Sequence, residues 1–388
     1  MALRDLGEAR LDLTMVCPEA EFTYKPLTVE EPFSVFAAER RALAPIAEEF
    51  GAKLVQQALE SVRVDAHSVE LSNGEAIDYD VLVLCIGAKP RAPYEGAVTF
   101  TATEPLRIDD FLKGGEGRIV FVVPPGVTWS LPIYELAMMT RRRSEAMGVR
   151  AMECVVVTPE SAPLVMFGSH ASAAVSELLR ARRIELRTSA YAHELEGGDL
   201  VLTPGNERLE ARTVIALPIL DGPRVAGLPA DDKGFIPIDE HARVVGANDV
   251  YAAGDGTTFP IKQGGIATQQ ADAAAEHIAA RAGANIDPAP FRPVLRGQLL
   301  TGDDSLNLKA DPTGGAGEGI ASADYLWWPP HKVSGRYLAA WFAGTTPHQD
   351  PEPPRDPLDV QVSISEHWHR EPMVFNPYGP IEEADGRD

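Results

Sequence analysis

The sequence predicts an α/β fold made of two βαβ-type domains and a C-terminal extension. Strand-like and helix-like segments alternate along most of the 388 residues, which favours parallel sheets covered by helices. The run VLVLCI at 81–86 is apolar without interruption, as expected of a strand buried on both faces. A strand, a turn and an Ala-rich helix follow at 250–279, after a self-contained βαβ unit. The first domain is therefore predicted to be discontinuous, with the second domain inserted into it.

The first segment, residues 1–105, supplies the opening part of that discontinuous domain. LDLTMVCPE at 11–19 predicts a strand closing in a turn, and 38–56 is mostly helical in pattern despite Pro45. Residues 61–90 predict a β-meander, because Asn73-Gly74 is a strong hairpin signal between alternating segments. Its last strand is the apolar run at 81–86.

The second segment, 106–225, is predicted to be the inserted domain. It opens with a strand, a Pro-Gly loop and a helix in RIVFVVPPGVTWSLPIYELAMMTRRR at 118–143. A strand at 151–160, a helix at 169–184 and a hairpin around EGGDLVLTPGN follow, and the unit closes on TVIALPIL.

The third segment, 226–290, completes the first domain with the stretch VYAAGDGTTFPIKQGGIATQQADAAAEHIA. Gly254 lets the backbone approach a ligand, and Asp255 projects from the carboxyl end of the strand, where α/β folds place ligands. Gly264 and Gly265 open a helix whose free N–H groups favour an anionic group. On the local pattern alone, an ordinary strand–turn–helix joint with an Asp N-cap is an equally good interpretation.

The remaining region, 291–388, carries an aromatic cluster and a polar end. The cluster, YLWWPPHKVSGRYLAAWF, is typical of a core or a dimer contact, and walls of a ligand site or a membrane-facing surface are the alternatives. The Pro- and charge-rich residues beyond it predict loop or disorder.

Composition excludes several classes of protein. Apolar content of 45% and charged content of 24% are ordinary for a globular chain. The formal net charge of −22 argues against nucleic acid or an anionic membrane as a partner. No metal-ligand spacing is present, so no metal is expected. No signal peptide or membrane-spanning run is readable, which makes the cytoplasm the expected location.

The three cysteines, Cys17, Cys85 and Cys154, form no C-x-x-C pair. Cys85 and Cys154 stand in strand-like apolar runs, and both are predicted to be buried, unreactive thiols.

A resemblance to a known family enters at residues 231–279. They look like the carboxyl-terminal FAD-binding segment of the two-dinucleotide-fold flavoproteins, the pyridine nucleotide-disulfide oxidoreductases. Within them the chain is most similar to the sulfide:quinone reductase and type-II NADH dehydrogenase-like group. The same resemblance covers DYDVLVLCIGAKP, TVIALPILDGPRVAGLP, FRPVLRGQLLTG and HKVSGRYLA. It implies two Rossmann-like, three-layer dinucleotide-binding domains, with FAD in the discontinuous one.

The resemblance also implies which residues bind FAD. Asp255, beside Gly254, would bond the ribityl chain, while Gln263, Gly264 and Gly265 would lie near the pyrimidine edge of the flavin. Further positions match segments along the rest of the cofactor: Lys25 and Pro26 against the flavin, Gly87 and Ala88 by the phosphates and ribose, and Val64 on the strand reading the adenine. Lys262 is a tentative catalytic residue that would stabilise reduced flavin or a substrate oxyanion; a solvated lysine is the equal alternative.

Two departures concern the FAD pyrophosphate and ribose. The family opens with a strand and a G-x-G-x-x-G turn, and neither precedes the helix-like ALRDLGEAR here. We therefore expect a chain truncated at its amino end, with weakened FAD binding. The usual acidic ribose ligand is replaced by Cys17, and Glu19 is the candidate substitute.

A third departure makes the second dinucleotide site degenerate. VVPPGVTWS stands where a nicotinamide-binding turn would be, and Pro124, Pro125 and Trp129 offer a pyrophosphate neither N–H groups nor space. The loop resembles the Pro-rich segment of sulfide:quinone reductases, in which it carries a redox cysteine. Because no cysteine stands here, thiol-based sulfide oxidation lacks its nucleophile.

The resulting hypothesis is an FAD-dependent oxidoreductase that passes electrons from an unidentified small-molecule donor to a quinone or similar acceptor. The alternatives are a non-catalytic scaffold derived from a flavoprotein and an NAD(P)H dehydrogenase. Peripheral membrane contact and a homodimer stay open as partners.

Overall fold

The computed structural model describes residues 1–34, 36–102, 106–196, 198–310 and 319–347. The Pro-rich end from 348 onward, for which loop or disorder was predicted, lies outside the described residues. The boundaries proposed above for the domains remain predictions.

The first segment is rich in short strands. Its helices are α1 (Ala2–Gly7) and α2 (Leu43–Glu49), and a 3-10 helix spans Lys25–Phe33. Its strands are β1 (Leu13–Val16), β2 (Glu21–Thr23), β3 (Arg40–Ala42), β4 (Ala52–Val55), β5 (Leu59–Arg63), β6 (Ser68–Leu71), β7 (Ala76–Asp78), β8 (Leu82–Leu84), β9 (Lys89–Arg91) and β10 (Val98–Thr99).

The predicted β-meander is confirmed in its first part only, because its predicted last strand, β8, lies in a separate parallel sheet. Strands β5, β6 and β7 form a three-stranded antiparallel sheet. At the hairpin, Gly74 has a φ of +83°, and Asn73 Oδ1 accepts a hydrogen bond from the Glu75 N–H. An Asn-Gly pair tolerates this backbone better than other residues do, which explains the turn.

The second segment and the closing segment contain the longer elements. The second has α3 (Ile108–Leu112), β11 (Glu116–Val122), α4 (Leu131–Ala146), β12 (Ala151–Val157), α5 (Ser169–Ala181), β13 (Glu185–Arg187), β14 (Tyr191–Glu196), β15 (Asp199–Thr203), β16 (Glu207–Leu209), β17 (Thr213–Ala216) and β18 (Ile219–Asp221). The closing part has β19 (Val250–Ala252), α6 (Gly264–Arg281), β20 (Leu295–Leu299), β21 (Leu306–Ala310), β22 (Ile320–Ser322) and α7 (Leu338–Ala343).

Parallel pairing joins the two distant parts of the first domain. Strand β19 pairs with β8 in parallel, with Val250 opposite Leu82 and Ala252 opposite Leu84. The two strands are separated by the whole second segment, so the predicted discontinuous domain is confirmed. Strands β1 and β4 form a second parallel pair. In the described ranges, β1 has no strand on its other side. The segment 242–244 lies antiparallel along the other side of β19, with the Val244 N–H bonded to the Val250 carbonyl and the Ala252 N–H to the Ala242 carbonyl.

The main sheet of the second segment is parallel and has five strands, in the order β10, β17, β11, β12, β13, of which β10 comes from the end of the first segment. Its strands read as apolar runs because both faces are covered. One face packs against α4, α5 and the C-terminal region, through Phe121 and Val156 among others. The other face packs against the antiparallel sheet β14–β15–β16 rather than against helices, with Val120 and Leu202 in the same core. The alternating residues of β15 explain this layer, since they bury one side of a hairpin.

The C-terminal region adds an antiparallel sheet, β20–β21–β22, and the short helix α7. Part of the predicted aromatic cluster is core: Trp327 and Tyr337 are buried, whereas Trp328 is exposed. No helix in the described parts of the chain is long and apolar enough to cross a lipid bilayer.

Candidate functional site

The site is built around the turn that follows β19. Gly254 has a φ of +88°, a backbone conformation that an L side chain rarely adopts. Its carbonyl accepts hydrogen bonds from the N–H and the hydroxyl of Thr257, at 3.0 and 2.9 Å. The turn therefore folds back on itself and projects Asp255 from the carboxyl end of the strand.

The turn after β8 lies against the turn after β19. A Cβ added to Gly256 would stand 2.8 Å from the carbonyl oxygen of Gly87, so only glycine fits at this junction. Gly87 itself has a φ of +70°, and no atom lies within 4 Å of where its Cβ would be. Ala88 follows it and is half-buried. An open space thus borders the two turns where parallel strands end.

Three charged groups meet beside this turn. Lys262 Nζ donates to the Thr257 carbonyl at 2.5 Å and lies 3.8 Å above the centre of the Phe235 ring. Burial lowers the pKa of Lys262 to about 8, and the negative charge of Asp255 opposes that shift. Burial raises the pKa of Asp255, against the attraction of Lys262 and Lys25. The structure thus brings Lys25, Asp255 and Lys262 together.

Helix α6 begins next to these groups. Gln263 is its N-cap: Oε1 accepts from the Ile266 N–H at 2.8 Å, and Nε2 donates to the Arg296 carbonyl at 3.0 Å. Its side chain is consequently used within the protein. A Cβ added to Gly264 would lie 2.9 Å from Val333 Cγ2 and 3.9 Å from Pro26 Cγ. Pro26 and the amino end of α6 therefore adjoin, with Gly265 as the next helical residue.

Two of the proposed cofactor-binding residues, Glu19 and Val64, are not part of these two turns or of the start of α6. Glu19 is an exposed residue between β1 and β2. Val64 is not on a strand, contrary to expectation, because β5 ends at Arg63 and Val64 opens a 3-10 turn. Its side chain packs into the apolar core beside β8 and β19.

The loop at 123–130, where a nicotinamide-binding turn would stand, is held in place by contacts of Thr128 and Trp129. Thr128 Oγ1 donates to the Pro260 carbonyl at 2.5 Å, so the loop is tied to the segment carrying Lys262. The Trp129 ring packs edge to face on Phe167, with centroids 5.8 Å apart.

Glu160, just past β12, is fully buried and closes the base of this loop. It accepts hydrogen bonds from Ser130 Oγ at 3.0 Å, Tyr134 OH at 2.5 Å and Thr158 Oγ1 at 2.9 Å. A carboxylate at the end of a second parallel strand can bind a nucleotide ribose, but this one is engaged by the protein.

A buried ion pair that was not predicted from the sequence joins Glu135, in α4, to Lys332. Glu135 Oε1 accepts from Lys332 Nζ at 2.5 Å and from the Leu300 N–H at 2.8 Å, and the two side chains are 1% and 8% exposed. Burial raises the pKa of Glu135, against the attraction of Lys332. Burial likewise raises the pKa of Glu30, again opposed by Lys332. Nothing in the sequence pairs residues so far apart.

The three cysteines lie in separate parts of the chain. Cys154 is buried in β12, as predicted, but Cys85 is exposed, so the expectation of a buried thiol there was wrong. The reason is that β8 ends at Leu84, which leaves Cys85 beyond the last paired residue. Among the described residues, no group of three or more His, Cys, Asp or Glu side chains is placed to hold a metal ion.

Comparison with known proteins identifies the family. The model of the pyridine nucleotide-disulphide oxidoreductase family matches residues 2–276 of the chain. The chain belongs to this family. Its members are FAD-dependent oxidoreductases, which confirms both the resemblance seen in the sequence and the expected cofactor.

Individual family members show how far the likeness extends. The sulfide-quinone reductase of Aquifex aeolicus is 25% identical over 204 residues, which make up 49% of this chain. The match spans about half the length of that relative, 47%. The crystal structure of the sulfide:quinone oxidoreductase from Aquifex aeolicus superposes with a TM-score of 0.75 at 21% identity, covering 83% of this chain and 82% of that one. A ferredoxin reductase from Rhodopseudomonas palustris gives 0.61 at 19% identity, covering 81% and 79%. These structures share the fold.

The residues of the site fit the family cofactor. Gly87 borders open space, Gly254 and Gly264 allow close approach, and Asp255 interacts electrostatically with Lys262 and Lys25. Such a turn can bond hydroxyl groups through the carboxylate, while the amino end of α6 favours electron density on a nearby ring.

Proposed function

We propose that the chain is an FAD-dependent oxidoreductase that takes electrons from a small-molecule donor and passes them to a quinone or a similar acceptor. The observation that carries the proposal is the grouping of Lys25, Asp255 and Lys262 at the amino end of α6. Asp255 would hold the ribityl chain, and Lys262 would place positive charge beside the flavin. When bound, FAD supplies two-electron transfer.

The buried pair of Glu135 and Lys332 supports an acceptor that also takes up protons. A quinone needs two electrons and two protons to become a quinol, and a Lys–Glu pair held out of water can donate a proton locally. Lys332 is next to Val333, whose side chain adjoins Gly264 at the start of α6. Lys332 therefore directly precedes, in the sequence, a residue that contacts the start of α6.

The donor is proposed to react without a protein thiol. The loop that approaches the site carries Trp129 and Ser130, and the three cysteines are free thiols in separate parts of the chain. A dithiol mechanism needs two cysteines within bonding distance, which these positions do not offer.

The chain is not proposed to use NAD(P)H. Proline lacks the N–H group that would bind a pyrophosphate, and Glu160 is held by three side-chain hydroxyls. A ribose would have to break these hydrogen bonds before Glu160 was free to accept from it.

The proposal is tested on the purified full chain loaded with FAD. We expect a flavin band at about 450 nm that NADH does not bleach, and that returns after photoreduction when decylubiquinone is added without oxygen. A colourless chain that takes up no FAD would show a scaffold instead of an enzyme.

Lys262→Met should slow this reoxidation by about tenfold or more, because it removes the positive charge. Lys113→Met is the matched control, since Lys113 is an exposed residue after α3 that pairs with Asp110. Equal rates for both variants would rule out the role given to Lys262.

A further inference from the structure

Gln270, on the second turn of α6, is fully buried and reaches the Gly254–Asp255 turn. Its side-chain Oε1 accepts a hydrogen bond from the Gly254 N–H at 2.7 Å. Its Nε2 has no hydrogen-bond partner within the described structure. A buried donor of this kind is destabilising unless some other group accepts from it.

The orientation of the carboxamide is fixed by its neighbour. The Gly254 N–H is a donor and can bond only to an acceptor, so the oxygen of Gln270 must face it. The NH2 group then points away from that bond. Because both atoms are attached to the same carbon, the unpaired donor lies at the turn that presents Asp255.

Nearby charges do not supply the missing acceptor. Lys25 and Lys262 are themselves donors, and the Gly254 carbonyl is already bonded twice by Thr257. Gln269, the preceding residue, faces elsewhere: its amide bonds to Gly265 and to Val294. Of these two neighbouring glutamines, only Gln270 therefore has an amide NH2 group without a hydrogen-bond partner.

We propose that Gln270 is a cofactor-binding residue whose NH2 group donates to an oxygen of FAD while its carbonyl oxygen holds the Gly254–Asp255 turn. The inference rests on FAD binding at this turn and deepens the proposed function. Ribityl hydroxyl and phosphate oxygens are both acceptors that such an amide can bond. One side chain would thus both shape the turn and contact the ligand.

The test compares FAD dissociation constants of apo-protein variants by quenching of flavin fluorescence. Gln270→Glu keeps an oxygen for the Gly254 N–H but replaces the donor by a second acceptor. We expect it to weaken FAD binding by about tenfold or more, and the melting temperature of the apo-protein is measured alongside, because a buried carboxylate lowers stability as well. Asn206→Asp is the control, because it makes the same amide-to-carboxylate change in an exposed turn.

Gln270→Met lacks both the donor and the amide acceptor and introduces no charge, and it is measured in case Gln270→Glu fails to fold. It should also bind FAD at least several-fold more weakly than the wild type. If either folded variant binds FAD within about twofold of the wild type, the inference is overturned. If the wild-type chain binds no FAD, the proposed function fails together with the inference. If the wild type binds FAD and the variants bind it equally well, only the inference fails.

Discussion

Among single residues, Gly254 sets the backbone of the turn that is proposed to bind FAD. Its φ is +88°, and a Cβ there would lie 3.3 Å from the Cβ of Ala267. Gly254→Ala should lower the free energy of unfolding by about 1–2 kcal/mol and weaken FAD binding, because the strained turn shifts Asp255.

Gly96→Ala is the matched control for this substitution. Gly96 has a φ of +83°, but nothing lies within 4 Å of its Cβ position. Urea unfolding and FAD titration of both variants separate backbone strain from contact. A Gly254→Ala variant with unchanged FAD affinity would contradict the role of the turn.

The buried pair of Glu135 and Lys332 is the second prediction for single residues. Lys332→Met leaves a buried carboxylate without its cation and should lower the free energy of unfolding by about 3–5 kcal/mol. Adding Glu135→Gln removes the uncompensated charge and should recover most of that loss. The comparison is made by urea unfolding at neutral pH, and equal losses in the single and double variants would refute it.

Among the elements, helix α6 should make stability depend on pH through Asp272. Burial raises the pKa of Asp272 to about 7, with Arg336 opposing and Glu276 reinforcing the shift. Between about pH 4 and 7 the folded chain therefore holds a proton that the unfolded chain has released, and the free energy of unfolding falls as the pH rises.

Asp272→Asn removes this titration. The variant should match the wild type at pH 4 and exceed its free energy of unfolding at pH 8, by up to about 4 kcal/mol. Denaturant unfolding across this range measures the difference. A constant difference between the two proteins would show that Asp272 keeps its ordinary pKa.

The elements also show what the sequence could predict. The β19–turn–α6 unit depends on residues within one stretch, so its strand end and its glycines were recognisable from the sequence, whereas its N-cap at Gln263 was not. The last residue of β8 was not recognisable. Cys85 was predicted to lie within the strand, but the strand ends one residue before it. Glu135 and Lys332 meet only through packing, which no local pattern encodes.

For the whole molecule, the two domains should differ in local stability. Strand β11 has parallel partners on both sides over much of its length, whereas β8 and β19 pair over three residues. Amide hydrogen exchange should therefore be slowest in β11 and β12 and faster in β19 and β1. Adding FAD should slow exchange around β8 and β19, because a ligand that binds only the folded state stabilises it. Equal protection of β19 and β11 in the apo-protein would contradict this view.

The hydrogen bond from Thr128 to the Pro260 carbonyl has an optical consequence. It keeps Trp129, in the loop between β11 and α4, near the segment that leads into α6. Indole emission overlaps the near-ultraviolet absorption of an isoalloxazine ring, so resonance energy transfer couples the two chromophores at short range. Bound FAD should therefore quench the fluorescence of Trp129, and loss of the Thr128–Pro260 hydrogen bond should reduce that quenching.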